Sequence, residues 1–227
     1  MRLLWPVLCL VPANLFGGIV YHSIAPDKSN AIQAQNRILS VQASGSNTTE
    51  SGCILYGDVT SPCPTVTGGD TVVPSQSHTA TFGTLGINDA ANLAITFDAV
   101  ESSGNSILLN QLVLYVWNDL GSGPLFTASL NNPNQNFAST LNGNGKAEAI
   151  FVLDQTSIDA LNTLNFGPTW IIGMGASLSN VSSGAETFYV STLGTATNPE
   201  PVPEPTTWSL LAVGLGVTAY LKRRRTL

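Results

Sequence analysis

The sequence predicts an all-β domain, a two-sheet antiparallel β-sandwich with one short helix, carried between an N-terminal signal segment and a C-terminal transmembrane helix. Three observations predict it. Ser, Thr and Asn supply 64 of the 227 residues; Thr suits the pleated, half-buried surface of a strand and Asn suits turns. Leu93, Ile95, Phe97 and Ala99 alternate with Ala94, Thr96 and Asp98 at the period of a strand. Turn clusters recur at strand-length intervals: Asn118-Asp119-Leu120-Gly121-Ser122-Gly123, Asn131-Asn132-Pro133-Asn134 and Asn142-Gly143-Asn144-Gly145.

Taken in order, the chain opens on Met1-Arg2 and an apolar run from Leu3 to Tyr21, interrupted by Pro6, Pro12, Asn14 and Gly17-Gly18. One base, an apolar body and then polar residues with small side chains form the layout of an export signal peptide, here placed at residues 1–31. Ser29-Asn30-Ala31 and Val41-Gln42-Ala43 both offer small residues before a cut, so the leader extends to 31 or as far as 43. The alternative is a retained anchor or buried helix, which the two prolines and the glycine pair weaken.

The β domain is expected over 44–195, with strands at Thr79–Leu85, Leu93–Ala99, Ile107–Trp117, Pro124–Leu130, Lys146–Leu153, Thr169–Leu178 and Thr187–Leu193. Ile107–Trp117 is apolar on both faces, as in a strand covered from two sides. Asp154 is an N-cap for a helix over Gln155–Leu164, whose Ile158, Leu161 and Leu164 recur every third residue. About seven strands at this spacing fit two packed sheets better than a barrel. Residues 26–50 and 60–78, rich in Ser, Thr, Gly and Gln, are expected as loop or linker.

Charge excludes one class of partner. Eight bases face fourteen acids, and between residues 38 and 205 a single base, Lys146, faces thirteen acids. Phosphate neutralisation needs clustered Lys and Arg, so nucleic acid is not a partner. Of three cysteines, Cys9 leaves with the leader and does not follow the small residues of a lipoprotein signal; Cys53 and Cys63 remain and form one disulfide outside the cytoplasm.

No catalytic constellation, cofactor site or metal site emerges. With the leader removed, His78 is the single histidine, so neither a multi-histidine metal site nor the helical metalloprotease motif can be built. A Ser-His-Asp triad would need His78 as its base, and no serine stands in a nucleophile elbow. Glu101, Glu148 and Glu186 are the carboxylates that a glycosidase pair would draw on, and Asp119 with the Asn-rich turns offers oxygen atoms for Ca²⁺ without the spacing of a calcium loop. Tyr115, Trp117, Trp170, Phe188 and Tyr189 lie in strands and would stack on sugar rings if exposed; at strand spacing most such aromatics are core.

The far end is the most distinctive part. Asn198-Pro199-Glu200-Pro201 belongs to an extended spacer at 196–202. Pro203-Glu204-Pro205 follows, then an uncharged stretch from Trp208 to Leu221, then Lys222-Arg223-Arg224-Arg225. The fourteen residues of that stretch make a helix about 21 Å long, against a hydrocarbon core of about 30 Å. Thr206 and Thr207 extend it to 206–221, and the basic side chains reach the interface. Four clustered bases act as a stop-transfer signal and stay cytoplasmic, which places the preceding domain outside.

This three-part tail resembles the PEP-CTERM sorting signal of bacterial exported proteins: motif at 203–205, membrane helix, basic end at 222–225, all within 203–227. The resemblance implies recognition by an exosortase, a membrane-embedded transpeptidase-like protease. It also implies transient residence in the inner membrane and delivery to the cell surface or matrix of a Gram-negative-type bacterium with exopolysaccharide. Pro203, Glu204 and Pro205 would then be recognition residues for another enzyme. The plainer alternative is a short tail anchor with a stop-transfer cluster. For the β domain the resemblance leaves two expectations: a non-enzymatic structural or adhesive surface protein, or a carbohydrate-binding module of the exopolysaccharide.

Overall fold

The computed structural model describes residues 15–24, 36–42, 47–60, 62–66, 72–100, 106–118, 123–138, 149–182 and 184–194. These form eleven strands and one α-helix: β1 (Leu15–Ile24), β2 (Arg37–Val41), β3 (Thr49–Ile54), β4 (Ala80–Thr81), β5 (Leu93–Asp98), β6 (Ser106–Trp117), β7 (Phe126–Leu130), β8 (Gln135–Ala138), β9 (Ala149–Leu153), α1 (Gln155–Thr163), β10 (Ile171–Ser179) and β11 (Glu186–Thr192).

All eleven strands belong to one sheet, in the order β2-β11-β5-β9-β1-β7-β6-β10-β3, with β4 added on β10 and β8 on β6. The sheet curls until its ends approach. Val72 bridges antiparallel to Val41 of β2, and Gly52 of β3 lies against the side chains of both. The result is a nearly closed, barrel-like sheet, not the two separate sheets expected.

The physical reason is β1. Its first half, Leu15 to Ile19, runs parallel to Phe126–Leu130 of β7, and its second half, Ile19 to Ile24, runs antiparallel to β9. Ile19 takes part in both ladders and is fully buried. Without β1 the described ladders separate into β2-β11-β5-β9 and β7-β6-β10-β3 with their additions. One strand therefore turns two groups into a single sheet, and it comes from the segment read as a leader.

One continuous apolar core fills the interior, contributed by both groups. Phe97 stacks on Phe188 at 4.8 Å between ring centroids, and Phe137 of β8 crosses to meet Phe97 and Phe151 edge-on, each at 5.7 Å. Rings offset or tilted in this way bring favourable quadrupole contacts in addition to buried area.

The period-two segments appear where expected, as β5, β6, β7, β9, β10 and β11, and α1 follows Asp154 as its cap. Two expectations are corrected. Thr79–Leu85 yields only the two residues of β4, because the Thr81 and Thr84 side chains hydrogen-bond to one another and to the local backbone. Such hydroxyl bonds offer the chain a turn in place of a ladder. Residues 26–50 are not all linker: β2 and the start of β3 lie there, and Ile38, Leu39 and Val41 are core.

Candidate functional site

Three places are candidates: the clamp around β1, the disulfide loop with its aromatic residues, and the tail.

The clamp begins at α1. Asp154 holds an extended backbone at the N-cap, and its Oδ1 accepts the Ser157 backbone N–H at 2.8 Å, as an N-cap carboxylate does. The Ser157 hydroxyl donates to the same carboxylate while its oxygen accepts the backbone N–H of Gly18. The Asp154 N–H in turn donates to the Gly18 carbonyl at 2.9 Å. On the other side, the Asn131 N–H donates to the Ile19 carbonyl at 2.9 Å, and the Asn131 amide reaches Asp154 Oδ2 at 3.1 Å.

Space at this point is shaped for glycine. A Cβ at Gly17 would run into Ser157, and one at Gly18 into Asn131 and Asp154. Burial works against the charged form of Asp154, but the bonds from the Ser157 hydroxyl, Asn131, and the Ser157 and Gly18 backbone outweigh it, holding the carboxyl below the ordinary Asp range. The sequence signal for this clamp was the Gly17-Gly18 pair, which the apolar run disguised as a flaw in a helix.

Cys53, near the end of β3, is disulfide-bonded to Cys63, with Cα atoms 5.7 Å apart. The loop they close lies over the outer face of β6 and β10, where Val66, Val113, Tyr115 and Trp117 form a second apolar cluster with Leu55, Tyr56, Cys63 and Ile171. Tyr115 hydrogen-bonds through its hydroxyl to Thr65. Burial pushes its phenol up, and the Thr65 bond pulls it partly back. Gly173 of β10 provides the floor: a Cβ there would meet the Ile54 carbonyl and the Trp117 ring.

Burial places the strand aromatics where aromatics at that spacing are expected, in the packing. Tyr115, Trp117, Phe188 and Tyr189 are all buried, and the half-buried Trp170 packs against the core. The sugar-stacking alternative is left without exposed rings among the first four. Alternation along a strand indicates which residues share a face, but not that a disulfide loop covers it.

The carboxylate candidates are not brought together among the described residues. Glu186 is buried in β11 opposite Val41, while Glu101, Glu148 and Asp119 lie outside the described residues. His78 is half-buried, and its backbone N–H donates to the Ile38 carbonyl at 3.1 Å. Among the described residues no cluster of three or more His, Cys, Asp or Glu is placed to hold a metal ion.

Pro203, Glu204, Pro205, Lys222, Arg223, Arg224 and Arg225 also lie outside the described residues, as does the membrane helix expected over 206–221. Among the described residues no helix is long and apolar enough to cross a membrane.

Comparison with known proteins speaks to the tail alone. Residues 201–225 match the family described as the PEP-CTERM protein-sorting motif. The match contains the Pro-Glu-Pro motif, the uncharged stretch and the basic cluster. No curated protein and no solved structure matches the chain. The chain therefore carries a C-terminal signal for sorting during export, and the motif implies recognition by an exosortase, a membrane protein.

Proposed function

We propose that this protein is a non-enzymatic exported protein of the cell surface or extracellular matrix, in which the β domain is the delivered cargo and residues 203–227 are the address. The observation that carries this is the match at 201–225, which sets Pro203-Glu204-Pro205 ahead of an uncharged stretch and four bases. Each part has its own task. Prolines on both sides of Glu204 favour an extended backbone there, a conformation in which a protease could read the chain from its side. Trp208–Leu221 holds that motif at the membrane surface, and Lys222, Arg223, Arg224 and Arg225 stop translocation on the cytoplasmic side. The exosortase then processes the chain near Pro205 and frees the domain outward.

The disulfide fits this destination, because such bonds persist in oxidising compartments outside the cytoplasm. An exopolysaccharide partner would have to engage surfaces other than the rings of Tyr115, Trp117, Phe188 and Tyr189, which are covered.

The test is the variant Glu204→Gln, produced beside the unaltered chain in a bacterium with an exosortase. The unaltered chain is expected to lose its tail and reach the cell surface, while the variant keeps its full C-terminus and stays in the membrane fraction. Equal mass and equal surface release for both would overturn the proposal.

A further inference from the structure

The strand that unites the sheet is also the segment that an export leader ending at Ala31 or Ala43 would remove. One mature protein cannot satisfy both. Loss of β1 would leave facing edges on β7 and β9 without these ladders. It would empty the position of the fully buried Ile19. It would also take the Gly18 and Ile19 carbonyls from the Asp154 and Asn131 N–H groups, and the Gly18 N–H from Ser157. Buried or half-buried backbone groups left without partners are strongly disfavoured. The close fit at Gly17 and Gly18 shows that this slot is shaped for this segment.

We propose that the export leader ends at the Ala13–Asn14 bond, so that the mature domain begins one residue before β1 and keeps it. The sequence supplies what a signal peptidase reads at that bond. Val11-Pro12-Ala13 places a small residue directly before the cut and Val three positions before it, an A-x-A-like arrangement. Leu3 to Leu10 is an apolar core of eight residues behind the single base Arg2, within the usual range of about 7–15 for such a core. At thirteen residues the leader is shorter than the usual 15 or so, and its apolar core and cut site carry the match. The step is hydrolysis of one peptide bond: water supplies the hydroxyl of the new Ala13 carboxyl group and the hydrogen of the new Asn14 amine.

The inference rests on the export proposed above, and one experiment separates the two. The full chain is produced in an exporting bacterium, and its N-terminus is determined in each cell fraction, together with those of Ala13→Leu and Ala31→Leu. The expected result is an exported chain beginning at Asn14, a block in leader removal for Ala13→Leu, and unaltered processing for Ala31→Leu. An exported chain beginning at Ile32 or Ser44, or one still beginning at Met1, overturns this inference and leaves export standing. A chain confined to the cytosol with Met1 in place overturns both.

Discussion

Two apolar stretches near the ends of this chain resemble each other in composition and differ in what flanks them. Leu3–Tyr21 and Trp208–Leu221 both lack acids, and both contain small residues that loosen a helix. The first ends in residues that pair on both sides within a sheet, with Gly17 and Gly18 pressed against Ser157, Asn131 and Asp154. The second lies inside a sorting motif and is followed by four consecutive bases. Hydrophobicity alone does not separate a core strand from a membrane segment. The flanks do: a cluster of Lys and Arg fixes a segment at a membrane face, whereas a Gly-Gly pair followed by Ile-Val-Tyr permits close approach and then β pairing.

The sharpest way to break that comparison is to remove each stretch in turn. A chain beginning at Ile32 is expected to lose its cooperative thermal unfolding transition, because β1 carries the strand ladders that link the two groups and the buried Ile19 between them. A chain lacking residues 203–227 is expected to keep the melting midpoint of the domain. Circular dichroism on both reads the contrast directly, and equal melting would place β1 outside the cooperative fold.

A smaller effect is expected at the disulfide. Replacing Cys53 and Cys63 together by Ser opens a loop with a sequence separation of 10. For a loop that short the expected loss is about 2–3 kcal/mol, read from denaturant unfolding. The outer cluster should respond with it: the fluorescence of Trp117, which packs at 6.4 Å from Tyr56 between ring centroids, should shift to the red as the loop lifts. A loss of stability without that shift would mean that the loop does not depend on the bond for its place over β6 and β10.

The smallest effect concerns the clamp. Asp154→Ala removes the N-cap of α1 and is expected to cost about 1 kcal/mol. The Asp154 carboxyl is held below its ordinary range in the folded chain. Its contribution is therefore complete above the unfolded value of about 3.9, and is lost as the pH falls through the folded value. The gap between the unaltered chain and Asp154→Ala, measured as melting midpoint against pH, should be constant near neutrality and close in acid. A gap that persists in acid would assign the stabilisation to something other than the carboxylate.

Legibility in the sequence followed a physical pattern. β5, β6, β7, β9, β10 and β11 were readable because four or more consecutive residues alternate or run apolar between turn clusters. The Asp154 cap and the Ile158-Leu161-Leu164 spacing marked α1 for the same kind of reason. β2 and β3 were missed because Arg37–Val41 and Thr49–Ile54 are buried on both faces and set among Ser, Gln and Thr, so no alternation stands out. β8 was missed because it starts immediately after the Asn131–Asn134 turn and is only four residues long. β1 was hidden by its resemblance to a leader, and with it went the connection that makes one sheet of two groups. At the sites, cysteine counting was enough for the pair Cys53 and Cys63, and the order of motif, apolar stretch and bases was enough for the tail. The burial of Tyr115 and Trp117 was not legible, because it depends on a loop about fifty residues earlier in the chain.

The most direct measurement of the central claim is the C-terminal peptide of the protein recovered from outside the cell, read by mass spectrometry. Removal of the address predicts a chain that ends near Pro205, with no peptide containing Lys222 to Leu227. An extracellular protein that still ends at Leu227 would contradict it.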